Sequence, residues 1–224
     1  MAQPVYTVNG IKFRDLDQVC TRRIRMRVKD GRYEKAEAEA LDAVLLKDDR
    51  VLELGSGLGI IAARSATVVG AENVVTIEAN PGLANTIRST LTLNNVAEVR
   101  SLSGVGTADP EVTSCRFYVS EHFWGSSLSP QTHGIKSEVD VPAVYLPDLL
   151  AEFRPTVLVC DIEGGEFGLL PKLDLSCLRT VVLEIHPKRA SREEYRGLIE
   201  HLADHGLLID LALTKYPDVP IFTS

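Results

Sequence analysis

Cysteine is sparse in this sequence and badly placed for cross-linking: Cys20, Cys115, Cys160 and Cys177 stand far apart, with no C-x-x-C pair. That spacing supplies neither a zinc site nor a disulfide framework, and a reducing cytoplasm is the expected location. No run of about 18 apolar residues occurs, so no membrane span is expected. The opening MAQPVYTVNG has neither the basic n-region nor the apolar h-region of an export signal. G-x-x-x-x-G-K-[ST] is missing, which removes the phosphate-loop NTPases. Positive charge is in deficit: 24 Lys and Arg against 31 Asp and Glu give a formal net charge of −7. That balance opposes a general affinity for nucleic acid and leaves only a local basic strip to provide one. No internal repeat or low-complexity tract appears. What is present suffices for one core, since 224 residues with 45% apolar and 25% charged side chains fit a single domain.

Val5 to Phe13 forms two alternating segments around Asn9-Gly10, a pair that takes φ > 0 readily, and predicts a small N-terminal hairpin. In Arg22 to Lys29 the residues Ile24, Met26 and Val28 alternate with cations. That pattern reads as a half-buried edge strand, with a dedicated site for an anionic substrate as the second reading. Glu34 to Leu46 has helical spacing. Then Val51-Leu52-Glu53-Leu54 reads as a strand, Gly55-Ser56-Gly57-Leu58-Gly59 as a tight turn, and Ile60 to Val69 as a helix. The alternation continues with strands at 73–78, 98–102, 156–161 and 180–185 and helices at 83–93 and 193–205. His205-Gly206 has the character of a helix end rather than part of a metal clamp with His201. Leu207 to Leu213 and Val219 to Phe222 suit an antiparallel hairpin. The fold class is therefore α/β, with a mostly parallel sheet covered by helices on both faces. The third and fourth core strands are too far apart for a simple crossover, so 104–154 is expected to hold an insertion or lid. Within it, Trp124, Ser126, Ser127 and His122 line an acceptor pocket in one reading, and in the other Trp124 is an aromatic that anchors the lid to the core.

The glycines at 55, 57 and 59 follow a buried strand and open a helix, so backbone N–H groups can approach a nucleotide-like ligand closely. The spacing is G-x-G-x-G and lacks the dinucleotide fingerprint G-x-G-x-x-G. Glu78, at the carboxyl end of the next strand, is placed to accept both ribose hydroxyls. Glu53 suits a ligand's ammonium group and would repel a pyrophosphate, which favours S-adenosylmethionine over NAD. Asp161 ends the apolar run Val157-Leu158-Val159-Cys160 and should project where open α/β sheets bind ligands. Glu163 and Glu166 follow it, either as further acids of the site or as the start of a helix. Glu184 and His186 share a face at the end of the following strand, and with Asp161 they suggest a base relay, a metal site or a structural network.

Together these elements resemble the class I S-adenosylmethionine-dependent methyltransferases, and more narrowly the FkbM methyltransferase family. The resemblance runs through Gly31-Arg32-Tyr33-Glu34, Val51 to Gly59, Glu78-Ala79-Asn80-Pro81, Asp161-Ile162-Glu163-Gly164-Gly165-Glu166 and Glu184-Ile185-His186-Pro187. It implies a seven-stranded Rossmann-like sheet with the cofactor across the carboxyl ends of the first strands. It also implies Gly55, Gly57 and Gly59 as the cofactor turn and Glu78 as the ribose ligand. Glu53, Ser56, Ala79 and Asn80 belong to the same cofactor motifs, Ser103 and Gly104 fall where adenine lies, and Asp161 falls near the transferable methyl.

The expected activity is S-adenosylmethionine-dependent O-methylation of a sugar or small metabolite, with catalysis by Asp161, Glu184 and His186. No resident metal is expected, nor a nucleic-acid or membrane partner; the acceptor is a small molecule or glycan. A methyltransferase for RNA or another anionic substrate using Arg22, Arg23, Arg25 and Arg27 is the first rival. A noncatalytic cofactor-binding module and a nicotinamide oxidoreductase are the others.

Overall fold

The computed structural model describes residues 4–14, 20–121, 125–130 and 134–224. The N-terminal hairpin pairs β1 (Tyr6–Val8) with β2 (Ile11–Phe13) through Asn9 and Gly10, both at positive φ. The next segment corrects the sequence reading: Arg22–Lys29 is a helix, α1, not an edge strand. Ile24 and Val28 are buried while Met26, between them, is 53% exposed. A strand would put all three on one face, whereas at i and i+4 only the first and last share a helical face. Arg, Lys and Met are also strong helix formers, and that preference prevails over alternation in so short a segment.

The chain continues as α2 (Lys35–Val44), β3 (Val51–Leu54), α3 (Ile60–Val69), β4 (Val74–Glu78), α4 (Ala84–Leu93) and β5 (Arg100–Ser103). After a long excursion come α5 (Leu146–Phe153), β9 (Val157–Cys160), α6 (Glu166–Leu169), β10 (Thr180–Leu183) and α7 (Arg192–Asp204). The chain ends in β11 (Leu208–Ile209) and β12 (Ile221–Thr223). His205 caps the C-terminus of α7, with ring Nδ1 on the His201 carbonyl.

Seven strands form one sheet in the order β11-β12-β10-β9-β3-β4-β5, parallel except for β12, which runs antiparallel to both β10 and β11. Side chains alternate between two cores on opposite faces. Val51, Val157 and Val159 join the core beneath α2, α3 and α4, while Leu52, Leu54, Leu158 and Cys160 join the one beneath α5 and α7. Burial on both faces explains why the central strands are continuous apolar runs. No helix among the described residues is long and apolar enough to cross a membrane.

The excursion is mostly a second sheet, ordered β6-β8-β7, from β6 (Val105–Thr107), β7 (Ser114–Ser120) and β8 (Ile135–Tyr145). It leads into α5, whose Leu146, Leu149, Leu150 and Phe153 pack on the main sheet. The insertion therefore ends in the crossover helix that the parallel sheet requires.

Candidate active site

Strand order reverses at β3, with β4 and β5 on one side and β9 and β10 on the other. Such a switch point opens a crevice at the carboxyl ends of the strands. A cavity of about 1020 Å³ lies there, walled by the glycine turn, the ends of β4 and β9, Tyr33 and Glu34 before α2, and the second sheet.

The turn is shaped by its neighbours. Gly55 has φ 93°, and a Cβ there would lie 1.8 Å from the Asp161 carbonyl oxygen, so any side chain would prise β3 from β9. Gly57 N donates to Glu78 Oε2 at 2.9 Å and Asn80 N to Glu78 Oε1 at 2.7 Å. These bonds aim the carboxylate of Glu78 into the cavity, and burial pushes its pKa up to about 7. Gly59, at φ 76°, starts α3 and packs on Ile87.

Of the residues expected to bind the cofactor or to catalyse, Gly55, Gly57, Glu78, Ala79, Gly104 and Asp161 lie on the cavity wall, as does the further acid Glu163. Glu53, Ser56, Gly59 and Asn80 are not part of that wall. Glu53 does not face the ligand space; it is 2% exposed, accepts from the Thr76 hydroxyl, and also takes the Ala62 N–H in the first turn of α3. The cause is the alternation of β3, which turns the odd-numbered side chains toward α3. Burial pushes the Glu53 pKa up to about 8. Ser56 is buried against the same Thr76 hydroxyl, and Asn80 caps the 3-10 turn Pro81–Leu83 by accepting from Gly82 N. Ser103 is exposed on the edge strand β5. In the insertion Ser126 and Ser127 line the cavity, while His122 and Trp124 lie outside the described residues.

At the β9 and β10 ends a cluster of acids surrounds one imidazole. Glu166, fully buried at the start of α6, accepts from Gly164 N at 2.8 Å through Oε2. Its Oε1 accepts from the His186 backbone N at 3.0 Å and lies 3.1 Å from His186 Nδ1. That leaves His186 Nε2 facing Asp161 Oδ1 at 3.8 Å and Glu163 Oε2 at 3.6 Å. Burial pulls the His186 pKa down, but the Glu166 hydrogen bond and the charges of Glu166, Glu163 and Glu184 more than offset it and hold it above the ordinary value. Burial drives the Asp161 pKa well above the carboxylate range, reinforced by the charge of Glu184 and a carboxyl–carboxyl hydrogen bond to it. Glu184 meets Glu37 of α2 in the same way, and burial and that contact push Glu37 up to about 7. Glu184 and His186 thus touch the site through Asp161 rather than forming its wall. Asp161 Oδ1 is buried and has no hydrogen-bond partner.

Asp161, Glu163 and His186 bring ligand-type atoms within 4.8 Å of one another. The Arg189 guanidinium, however, lies 3.0 Å from Glu163 Oε2 and already supplies that oxygen with a positive partner. Residue-by-residue reading found no role for Tyr33, Glu34, Phe117, Lys188 or Arg189, all of which line the cavity. Only the first two carried a signal, as part of the Gly31-Arg32-Tyr33-Glu34 motif.

A family model described as the methyltransferase FkbM domain matches residues 60–209, more than half of the sequence. The chain belongs to the FkbM methyltransferase family. Among solved structures, this FkbM methyltransferase is similar to M. jannaschii TYW2 in complex with AdoMet, at 15% identity and a TM-score of 0.51, covering 98% of this chain and 83% of that one. P. horikoshii TYW2 in complex with MeSAdo gives 14% identity and a TM-score of 0.50, covering 98% and 69%. At such identities the likeness concerns the fold, which is that of Rossmann-like class I methyltransferases. No curated protein matches the chain in sequence.

The cofactor of this family is S-adenosylmethionine, and the residues present fit it. Glu78 would offer a preset carboxylate to the ribose diol, Gly55 and Gly57 would allow close backbone approach, and the acidic wall suits a cationic ligand.

Proposed function

We propose that this methyltransferase acts on a hydroxyl oxygen of a sugar or small metabolite, with Asp161 as the base. The observation that carries this reading is the Asp161 carboxylate, which stands on the cavity wall at the end of β9 with its side chain about one-third exposed. The bound cofactor supplies an electrophilic methyl group. With the cofactor bound, this chain's part would be to hold the acceptor hydroxyl against the Asp161 carboxylate on the cavity wall and to take its proton there as the methyl group is transferred. A positioned base is worth about 10²–10⁴-fold, and near-attack alignment up to roughly 7–11 kcal/mol.

His186 keeps its Nδ1 proton on Glu166, because Oε1 of Glu166 already accepts from the backbone and serves as acceptor here too. In neutral His186 the unprotonated Nε2 faces Asp161 Oδ1 at 3.8 Å and can receive a proton from it, and Glu184 is a hydrogen-bond partner of Asp161. Since the Asp161 pKa is raised, the base is competent only once Asp161 has lost its proton. The rate should therefore rise with pH, with its acid limb above the ordinary carboxylate range. Four free cysteines suit a cytoplasmic location.

The test is transfer of labelled methyl from S-adenosylmethionine to small-molecule extract by wild type and by Asp161→Asn. The variant should bind S-adenosylhomocysteine within severalfold of wild type while the rate falls about 10²-fold or more. An unchanged rate would assign Asp161 to structure and move the base to His186 or Glu163.

A further inference from the structure

Charge is distributed very unevenly around the cavity. Glu34, Glu78, Asp161 and Glu163 stand on its wall, and the only cations there among the described residues are Lys188 and Arg189. Both sit on the 3-10 turn Pro187–Arg189 just after β10, which is two strands away from β3 and on the side opposite β4. The cofactor features, the glycine turn and Glu78, belong to β3 and β4. Lys188 and Arg189 therefore border the half of the cavity left for the acceptor.

Lys188 is exposed and has no ion pair among the described residues. Arg189 directs one terminal nitrogen to Glu163 Oε2 at 3.0 Å. A guanidinium has five N–H donors in a planar fork, so this contact orients Arg189 and leaves donors free for a second oxyanion. The same Glu163 oxygen is 3.6 Å from His186 Nε2, which is 3.8 Å from Asp161 Oδ1. Three short contacts thus connect the cationic rim to the base, a span that one small acceptor molecule can bridge.

We infer that the acceptor is a small hydroxylated acid, whose carboxylate or phosphate binds Lys188 and Arg189 while its hydroxyl meets Asp161; this rests on the methyltransferase reading of the same site. An anion anywhere else on this wall would face carboxylates, so the two cations fix the orientation of the acceptor as well as its charge. The cavity, at about 1020 Å³, only just exceeds the ~300–1,000 Å³ usual for a single ligand, which leaves room for the cofactor and one small molecule.

The experiment uses the whole protein with methyl-labelled S-adenosylmethionine and cell extract separated by size and then by anion exchange at neutral pH. Label should appear in low-mass material retained by the anion exchanger, and phosphatase treatment of that product tells a phosphate from a carboxylate. With that purified fraction as acceptor, Lys188→Ala should raise KM about tenfold or more, as expected for a charged hydrogen bond, with the effect carried by KM rather than kcat. Lys188→Glu should raise it further, and added salt should raise KM for wild type.

Low-mass label in the unretained neutral fraction would overturn the inference, as would an unchanged KM in both Lys188 variants. Label in an RNase-sensitive polymer would also overturn it and would point instead to the exposed Arg22, Arg23 and Arg27 of α1. A protein that binds S-adenosylhomocysteine but labels nothing would overturn the underlying transfer reading, an outcome distinct from neutral label.

Discussion

Glu166 holds His186 by two bonds to a single carboxylate oxygen, from the backbone N at 3.0 Å and from ring Nδ1 at 3.1 Å. Its other oxygen holds Gly164 N at 2.8 Å, so one buried side chain joins the loop after β9 to the loop after β10. Glu166→Gln replaces one acceptor by a donor and leaves a buried N–H facing an NH₂, a defect of about 1–3 kcal/mol. The His186 pKa should fall, because its burial would no longer be offset as strongly, and the transfer rate should drop about tenfold or more. NMR titration of the ring decides: an unchanged His186 titration would remove Glu166 from this role.

Cofactor affinity should depend on Glu78 and Gly57. Glu78→Ala removes the preset carboxylate and should weaken S-adenosylhomocysteine binding by the roughly 1.5–3 kcal/mol of a charged hydrogen bond, about 10- to 100-fold. Gly57→Val places a branched side chain on the cavity wall at φ 52° and should abolish binding. Calorimetric titration measures both, and NAD should give no heat with wild type. Unchanged affinity in both variants would remove the turn from the cofactor site.

Glu53 gives a prediction about stability and pH. Its pKa is raised from an ordinary 4.5 to about 8 in the fold, so folding takes up a proton between those values. The contribution is full below pH 4.5 and is lost as pH rises through about 8. Glu53→Gln keeps an acceptor for the Thr76 hydroxyl but cannot ionise. Its melting temperature should match wild type near pH 5 and exceed it at pH 9, by about 2–4 °C for each kcal/mol relieved. Equal melting temperatures at pH 9 would show that Glu53 stays neutral without cost or is solvated in the fold.

Metal removal is expected to have no effect. Asp161, Glu163 and His186 lie close enough to hold an ion, but Arg189 already neutralises the Glu163 oxygen, and Glu166 is turned to His186 and Gly164. Exhaustive chelation should leave the methylation rate unchanged. If Mg²⁺ or Mn²⁺ restored a rate lost on chelation, the three side chains would be ligands, and the ion would acidify the acceptor hydroxyl in place of Asp161.

The helical reading of the core was legible because period and punctuation agree there: Val51 to Leu54 is a strand buried on both faces, Gly55 to Gly59 can only be a turn, and Ile60 to Val69 is apolar and helical. Arg22 to Lys29 was not legible, since Ile24, Met26 and Val28 fit a strand by period two and only the packing of Ile24 and Val28 against the core selects a helix. β8 was hidden by its exposed, charged sequence and by Pro142, although it lies between β6 and β7.

By itself the sequence determined the α/β class, the glycine turn, the acid at the end of β4 and the acid at the end of β9, because each depends on local order along a strand and its turn. Only the tertiary structure decided which polar groups face the ligand. Alternation sends Glu53 toward α3 and leaves Glu78 to the cavity. Parallel pairing of β9 with β10 brings Glu166 onto His186 from 20 residues away. The turn after β10 then carries Lys188 and Arg189 to the wall, a position that depends on the order of strands across the sheet, which no window of neighbouring residues encodes.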